Sequence, residues 1–271
     1  MKVKKYLPSL ITLSNLFLGF LSILYIQRGD FSLGCNLILV AAILDSLDGK
    51  LARKIGIASD FGKEIDSLAD LISFCLAPSV LIFNIFYSKG ISELLFLYLA
   101  IISAFPVLMG AIRLARFNVG HTQESKQNYF IGLPSPMSAI TICSIILLKL
   151  KLDPTVNANE FIFNPTAFNI FDLNIIVPTI MLLSFLMIGK IHFSKFPLFS
   201  LNHSKENTIR LFLFIFIFIL LIISKIYDYF YIGLFLFSSY YILSNIIFHF
   251  INNSIKLNAL RQTLKNKKRQ S

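Results

Sequence analysis

Apolar residues in this chain gather into long blocks separated by short polar clusters, with no strict alternation of apolar and polar positions. Eight blocks stand out, at about 7–26, 31–44, 65–86, 91–112, 136–150, 174–189, 211–226 and 229–251. A helix needs about 20 apolar residues to cross the roughly 30 Å hydrocarbon core of a bilayer, and the longer blocks reach that length. In lipid only helices and closed barrels satisfy their own backbone hydrogen bonds, and uninterrupted apolar runs fit helices. The pattern therefore predicts an all-α, polytopic integral membrane protein with about eight transmembrane helices. Pro78 falls inside the third block and predicts a kink there. Segment 151–173, with Pro154 and Pro165, reads as an extramembrane loop. The last two blocks form a hairpin with a minimal turn.

Composition agrees. The 271 residues are 56% hydrophobic and 14% charged, with a mean hydropathy of +0.73. A soluble domain of this size could not hide so much apolar surface. The basic lead MKVKKY followed by the first block could suggest a signal peptide. The block is long and no small-residue cleavage site follows, so an uncleaved first span is expected. Thr12, Ser14 and Asn15 inside it suit interhelical hydrogen bonds. Cys35, Cys75 and Cys143 lie far apart in apolar runs with no metal-ligand spacing, and read as small membrane hydrophobes.

Charge placement orients the chain. With the N-terminus in the cytosol, 20 of the 25 Lys and Arg fall on the cytosolic side: in the lead, around 50–63, after the fourth and sixth spans, and in the tail. Five fall on the other side, a strong positive-inside bias. The net charge of +11 then reflects topology and attraction to anionic lipid, not nucleic acid. The tail KLNALRQTLKNKKRQS reads as a solvated end, with a basic amphipathic helix on the inner leaflet as the alternative.

Against this background the stretch LDSLDGKLARKIGIASDFGKEIDSLAD, from Leu44 to Asp70, is unusual. Asp45 and Asp48 are three apart, Asp66 and Asp70 four apart, so on helices each pair stacks on one face with Cβ atoms about 5–6 Å apart. One acid at the centre of a membrane helix costs about 2.5–3.5 kcal/mol on the insertion scale, and neighbouring carboxylates repel. Divalent cations shared between the two helices are the simplest compensation. Gly49, Ala52, Gly56, Ala58 and Gly62 leave room for close approach to the backbone, and Arg53 offers a forked cation suited to phosphate. The set describes a site for a diphosphate. A polar cytosolic loop with solvated charges would explain any one of these acids, but not the spacing of all four.

The stretch resembles the signature of the CDP-alcohol phosphotransferase family, D-x2-D-G-x2-A-R-x8-G-x3-D-x3-D. Asp45, Asp48, Gly49, Ala52, Arg53, Gly62, Asp66 and Asp70 match it without departure. That family transfers a substituted phosphate from a CDP-alcohol to an acceptor hydroxyl and releases CMP. The resemblance implies two Mg²⁺ or Mn²⁺ ions held by Asp45, Asp48, Asp66 and Asp70, with Asp70 also the general base or, alternatively, a ligand only. It places Gly49 and Arg53 against the CDP moiety, with Ser59, Thr12 and Asn15 as further candidates. It also implies a homodimer and a cytosol-facing polar cavity, entered sideways by the lipid tails of CDP-diacylglycerol. The expected organisation is a catalytic core over 1–150, a loop over 151–173, three further spans over 174–252 and a basic tail over 253–271.

The T-x-x-N-x-x-x-G pattern of Thr12, Asn15 and Gly19, with AIRLARFNVG and FIGLPSP, resembles the phosphatidylserine synthase branch. That branch implies L-serine as acceptor. Arg113 or Arg116 could pair with its carboxylate and Asn118 could add a hydrogen bond, although positive-inside anchoring also explains each arginine. Glycerol 3-phosphate or an inositol phosphate would call for a larger basic cluster. A cation transporter would spread its acids along several spans, and a non-catalytic scaffold would be expected to have lost part of the signature.

Overall fold

The computed structural model describes residues 7–55, 60–87, 92–119, 129–152, 170–194 and 229–270, with isolated positions from 212 to 224. Side chains are described throughout these except at 7–8, 49–55, 60, 170–173 and 252–270.

Helices α1 (Leu7–Gln27) and α2 (Phe31–Ile55) form an antiparallel hairpin. Gly29 makes the turn at φ +86°, a left-handed conformation that costs glycine nothing. Asp30 then caps α2, its Oδ1 accepting the Leu33 N–H at 3.0 Å. α2 does not stop near residue 44, where the apolar run ends; it continues through Asp45 and Asp48. Lys50, Leu51, Ala52, Arg53 and Lys54 are all strong helix formers, and Gly49 alone opposes them.

The third span is one helix in three parts: α3 (Asp60–Asp70), a π-helical turn (Leu71–Leu76) and α4 (Ala77–Phe86). The Ala77 N–H donates to the Ile72 carbonyl, five residues back, which is the wider π spacing. Pro78 was the expected kink. It sits in the first turn of α4, where a missing N–H is tolerated, and the distortion falls in the turn before it.

α5 (Glu93–Val119) outruns its apolar block, so Arg113, Arg116 and Asn118 stand on a helix and not in a loop. α6 (Ser135–Leu152) and α7 (Ile170–Ile188) follow. α8 (Phe230–Gln270) is a 41-residue helix whose second half carries the basic tail, which is helical and continuous with the span. Among the described residues six helices are long and apolar enough to cross a membrane, and Asn174–Ile188 is a shorter apolar helix. The all-α polytopic architecture is therefore present. Most of the expected span 211–226 and loop 151–173 lies outside the described residues.

Between the helices lies a small element that no periodicity announces. β1 (Tyr129–Ile131) pairs antiparallel with β2 (His192–Ser194), Phe130 opposite Phe193. Gly132, at φ +81°, follows β1 where an added Cβ would lie 3.0 Å from the Met187 carbonyl carbon.

Inside the bundle the packing is close and rich in small residues: Cys35, Ala41, Ala69, Cys75, Ala77, Ala139 and Cys143 are fully buried. Small side chains let membrane helices approach closely. All three cysteines are free thiols. Leu10, Phe17, Phe20, Leu108 and Leu236 point outward, as a lipid-facing surface requires.

Candidate active site

Residues three and seven apart on a helix share a face. On α1 that face is Thr12, Asn15 and Gly19, and it packs against both acid-bearing helices. The Thr12 hydroxyl donates to Asp48 Oδ2 at 2.9 Å, fixing that carboxylate. Ser73, in the π turn, donates to the Asn15 carbonyl at 3.0 Å. A Cβ on Gly19 would come within 2.7 Å of Ser73 Cα, so only glycine allows this approach. Asn15 is fully buried, and neither atom of its side-chain amide has a hydrogen-bond partner among the described residues.

One oxygen each from Asp45, Asp48 and Asp66 lies within 4.8 Å of the other two. Asp70 completes the group, close enough to both Asp45 and Asp66 for direct charge interaction. α2 supplies the first pair and α3 the second, so the fold brings all four signature acids to one end of the bundle. Oδ1 of Asp66 and Oδ1 of Asp70 are buried without a hydrogen-bond partner among the described residues. Buried polar atoms are ordinarily paired, and these two are oxygen acceptors beside other carboxylates. A cation fits that chemistry.

Arg113 approaches from α5. It is 8% exposed, its Nη1 donates to Ser135 Oγ at 3.2 Å, and its charge acts on both Asp45 and Asp70. Arg116, one turn on, is turned elsewhere: Nη1 donates to the Ile188 carbonyl at 3.0 Å and Nη2 to the Ile131 carbonyl at 3.1 Å. It thus ties α5 to the C-terminus of α7, where helix carbonyls lack partners, and to β1. Asn118 faces α3, donating to Glu64 Oε2 at 3.1 Å and accepting from Ser67 Oγ at 2.9 Å. The three residues grouped by sequence as acceptor contacts therefore separate, with Arg113 alone turned to the acids. Arg113, Arg116, Phe117, Phe130 and Ile131 line a narrow cleft beneath the ribbon.

Gly49 and Arg53 follow Asp48 on α2, but their surroundings and Ser59 lie outside the described side chains. An open polar cavity is not visible among the described residues. Four residues that shape this end went unassigned by sequence: Glu64, Ser67, Ser73 and Ser135. Ser135 lies in FIGLPSP and could have been found there; a lone serine or glutamate on a helix gives no comparable signal.

A multi-pass helical membrane protein with four clustered aspartates on two adjoining helices is the class that fold and site define. The sequence pattern of the CDP-alcohol phosphatidyltransferase family matches residues 5–169, more than half of the chain, and the chain belongs to that family. It is 42% identical over 145 residues to the CDP-diacylglycerol–serine O-phosphatidyltransferase of Helicobacter pylori, covering 53% of this chain and 58% of that protein. Identity to the archaetidylserine synthase of Methanothermobacter thermautotrophicus is 44% over 144 residues, 52% of this chain and 58% of that protein. These two matches thus span little more than half of each relative. The Bacillus subtilis CDP-diacylglycerol–serine O-phosphatidyltransferase is 33% identical over 202 residues, 74% of this chain and 95% of that protein.

Proposed function

We propose that the protein transfers the phosphatidyl group of CDP-diacylglycerol to the hydroxyl of L-serine, releasing CMP. The observation that carries this is Arg113, a buried guanidinium beside Asp70 at the acid cluster. An acceptor that places a carboxylate on Arg113 brings a hydroxyl two carbons away toward Asp70, and serine has that shape. The relatives named above share serine as acceptor in their names while differing in the lipid, which supports the acceptor more firmly than the diacyl backbone.

Asp45, Asp48, Asp66 and Asp70 would hold one or two divalent ions, Mg²⁺ or Mn²⁺, which would neutralise the diphosphate and favour CMP as leaving group. Thr12 keeps Asp48 oriented. Gly49 and Arg53, with Ser59, Thr12 and Asn15, would contact the CDP moiety. Asp70 takes the proton of the serine hydroxyl as its oxygen attacks the lipid-linked phosphorus. The P–O bond to CMP breaks, and CMP leaves with the bridging oxygen. Arg113 holds the serine carboxylate, while Arg116 and Asn118 shape the acceptor side through their contacts with β1 and α3. The active end faces the cytosol, as the basic residues indicate, and the protein acts as a homodimer in the cell membrane.

The test is CMP release by purified protein in detergent with CDP-diacylglycerol and Mn²⁺, comparing serine, glycerol 3-phosphate and an inositol phosphate, alongside Asp70→Asn. Serine-dependent release that disappears in Asp70→Asn supports both acceptor and base. Release only with a phosphorylated alcohol retains the chemistry and overturns serine.

A further inference from the structure

The last helix lies beyond the family-matched segment 5–169, yet it reaches the acceptor side of the site. In the β1–β2 ribbon, the Gly132 N–H donates to the Ile191 carbonyl at 2.9 Å. Antiparallel pairing alternates, so the backbone groups of Ile131, His192 and Ser194 face outward from the ribbon. Exposed strand edges of this kind need partners. α8 supplies them on the β2 side. Tyr241, Asn245 and His249 are spaced four apart and share one face.

His249 Nδ1 accepts the His192 N–H at 3.3 Å, and Asn245 Oδ1 accepts the Ser194 N–H at 2.8 Å. The Tyr241 hydroxyl donates to the Ser194 carbonyl at 2.9 Å. Asn245 is itself fixed, its Nδ2 donating to the Tyr241 carbonyl at 2.7 Å. Rings reinforce the grip: Phe193 stacks on Tyr241 with centroids 6.1 Å apart, and His192 meets His249 edge-on at 5.0 Å. On the other side of the ribbon, the outward Ile131 carbonyl is the one that Arg116 holds. The chain of contacts runs from α8 to β2, to β1, to Arg116, and one helical turn back to Arg113.

We propose that α8 is a functional wall of the acceptor site: its Tyr241–Asn245–His249 face seats the ribbon against α5 and so sets the direction of Arg113. Asn245 and Tyr241 are then positioning residues for the acceptor, Asn245 acting through the ribbon and Tyr241 both through the ribbon and through its nearness to the Arg113 charge. This rests on reading Arg113 as the acceptor's carboxylate partner.

The experiment measures KM for serine and for CDP-diacylglycerol, with kcat, in the full-length protein and three variants. Asn245→Ala removes the acceptor for the Ser194 N–H, and Tyr241→Phe removes the hydroxyl while keeping the ring. Asn245→Gln keeps both amide groups, the oxygen for the Ser194 N–H and the nitrogen for the Tyr241 carbonyl, on a side chain one methylene longer. One lost hydrogen bond predicts a serine KM raised about three- to tenfold in Asn245→Ala and Tyr241→Phe. The KM for CDP-diacylglycerol and kcat should stay within about twofold, and Asn245→Gln should bring the serine KM back toward that of the unaltered protein. An unchanged serine KM in both removal variants overturns the proposal, as does a joint shift of both KM values and kcat that Asn245→Gln does not rescue. If the unaltered protein uses a phosphorylated alcohol and not serine, the serine reading falls. The same KM comparison with that alcohol then decides the role of α8. Absence of CMP release from the unaltered protein with all three acceptors overturns both.

Discussion

Asp66 sits among three other carboxylates, one oxygen buried and unpaired among the described residues. Asp66→Asn keeps its shape and removes its charge. CMP release should fall at least about 100-fold, the scale of losing one electrostatic group in an active site. In chelator-treated protein the melting temperature should rise, because a repulsive charge has gone, and the stabilisation by added Mn²⁺ should shrink. Activity assays and circular dichroism melts check both. Gly19 gives the opposite kind of test. Gly19→Leu inserts volume where Ser73 Cα stands 2.7 Å from the first added atom, and should cost about 1–3 kcal/mol of stability together with activity. Thermal melts would expose a neutral outcome. At this scale the sequence was most legible: spacing puts Asp45 with Asp48, Asp66 with Asp70, and Thr12 with Asn15 on shared helix faces, and the fold then brings those faces together. Arg116 was not, because a guanidinium bound for backbone carbonyls looks the same in sequence as one bound for a substrate.

For the elements, legibility followed length. Long apolar blocks revealed α1, α6 and the first half of α8, but α2 and α5 overran their blocks because helix propensity continues after hydropathy stops. The ribbon was invisible: two three-residue strands, 60 residues apart in the chain, carry no period. It should also be the pH-sensitive element. His192, outside the candidate spans, has its proton affinity held below the usual value of about 6.5 by partial burial and then by the neighbouring His249. Tyr129 from β1 and His249 from α8 are the titratable groups against its ring. A lowered histidine pKa means the unfolded chain binds the proton more readily. Its contribution is therefore complete above about pH 6.5 and lost as pH falls through the lowered value. Hydrogen exchange at the Ser194 amide, corrected for intrinsic rate, should show more frequent opening at pH 5 than at pH 7.5. A pH-independent opening would remove His192 from that role.

The whole molecule is arranged by lipid. Large apolar side chains such as Leu10, Phe17 and Phe20 face outward, where water would have driven them under cover, while small residues let the helices meet closely inside. The orientation proposed from the charge bias predicts that Tyr129 and Leu152 lie on opposite sides of the membrane. Cys35, Cys75 and Cys143 are fully buried, so background labelling should be low. In intact cells a membrane-impermeant maleimide should react with Leu152→Cys and not with Tyr129→Cys. The reverse pattern would invert the topology. The π turn between α3 and α4 bears on this arrangement too. Each residue of a helix advances its face by about 100°, and a π turn takes in one residue more than the regular helix would. The third span is therefore two screws cut out of phase by about a quarter turn. Below the slip its acids are indexed to the neighbouring aspartates; above it Ala77, Leu81 and Ile82 are indexed to the bundle interior. Deleting a single residue from 71–76 would leave the span nearly as long and as apolar, yet would put the two halves in phase. With α4 held by its packing, Asp66 and Asp70 would swing away from their partners.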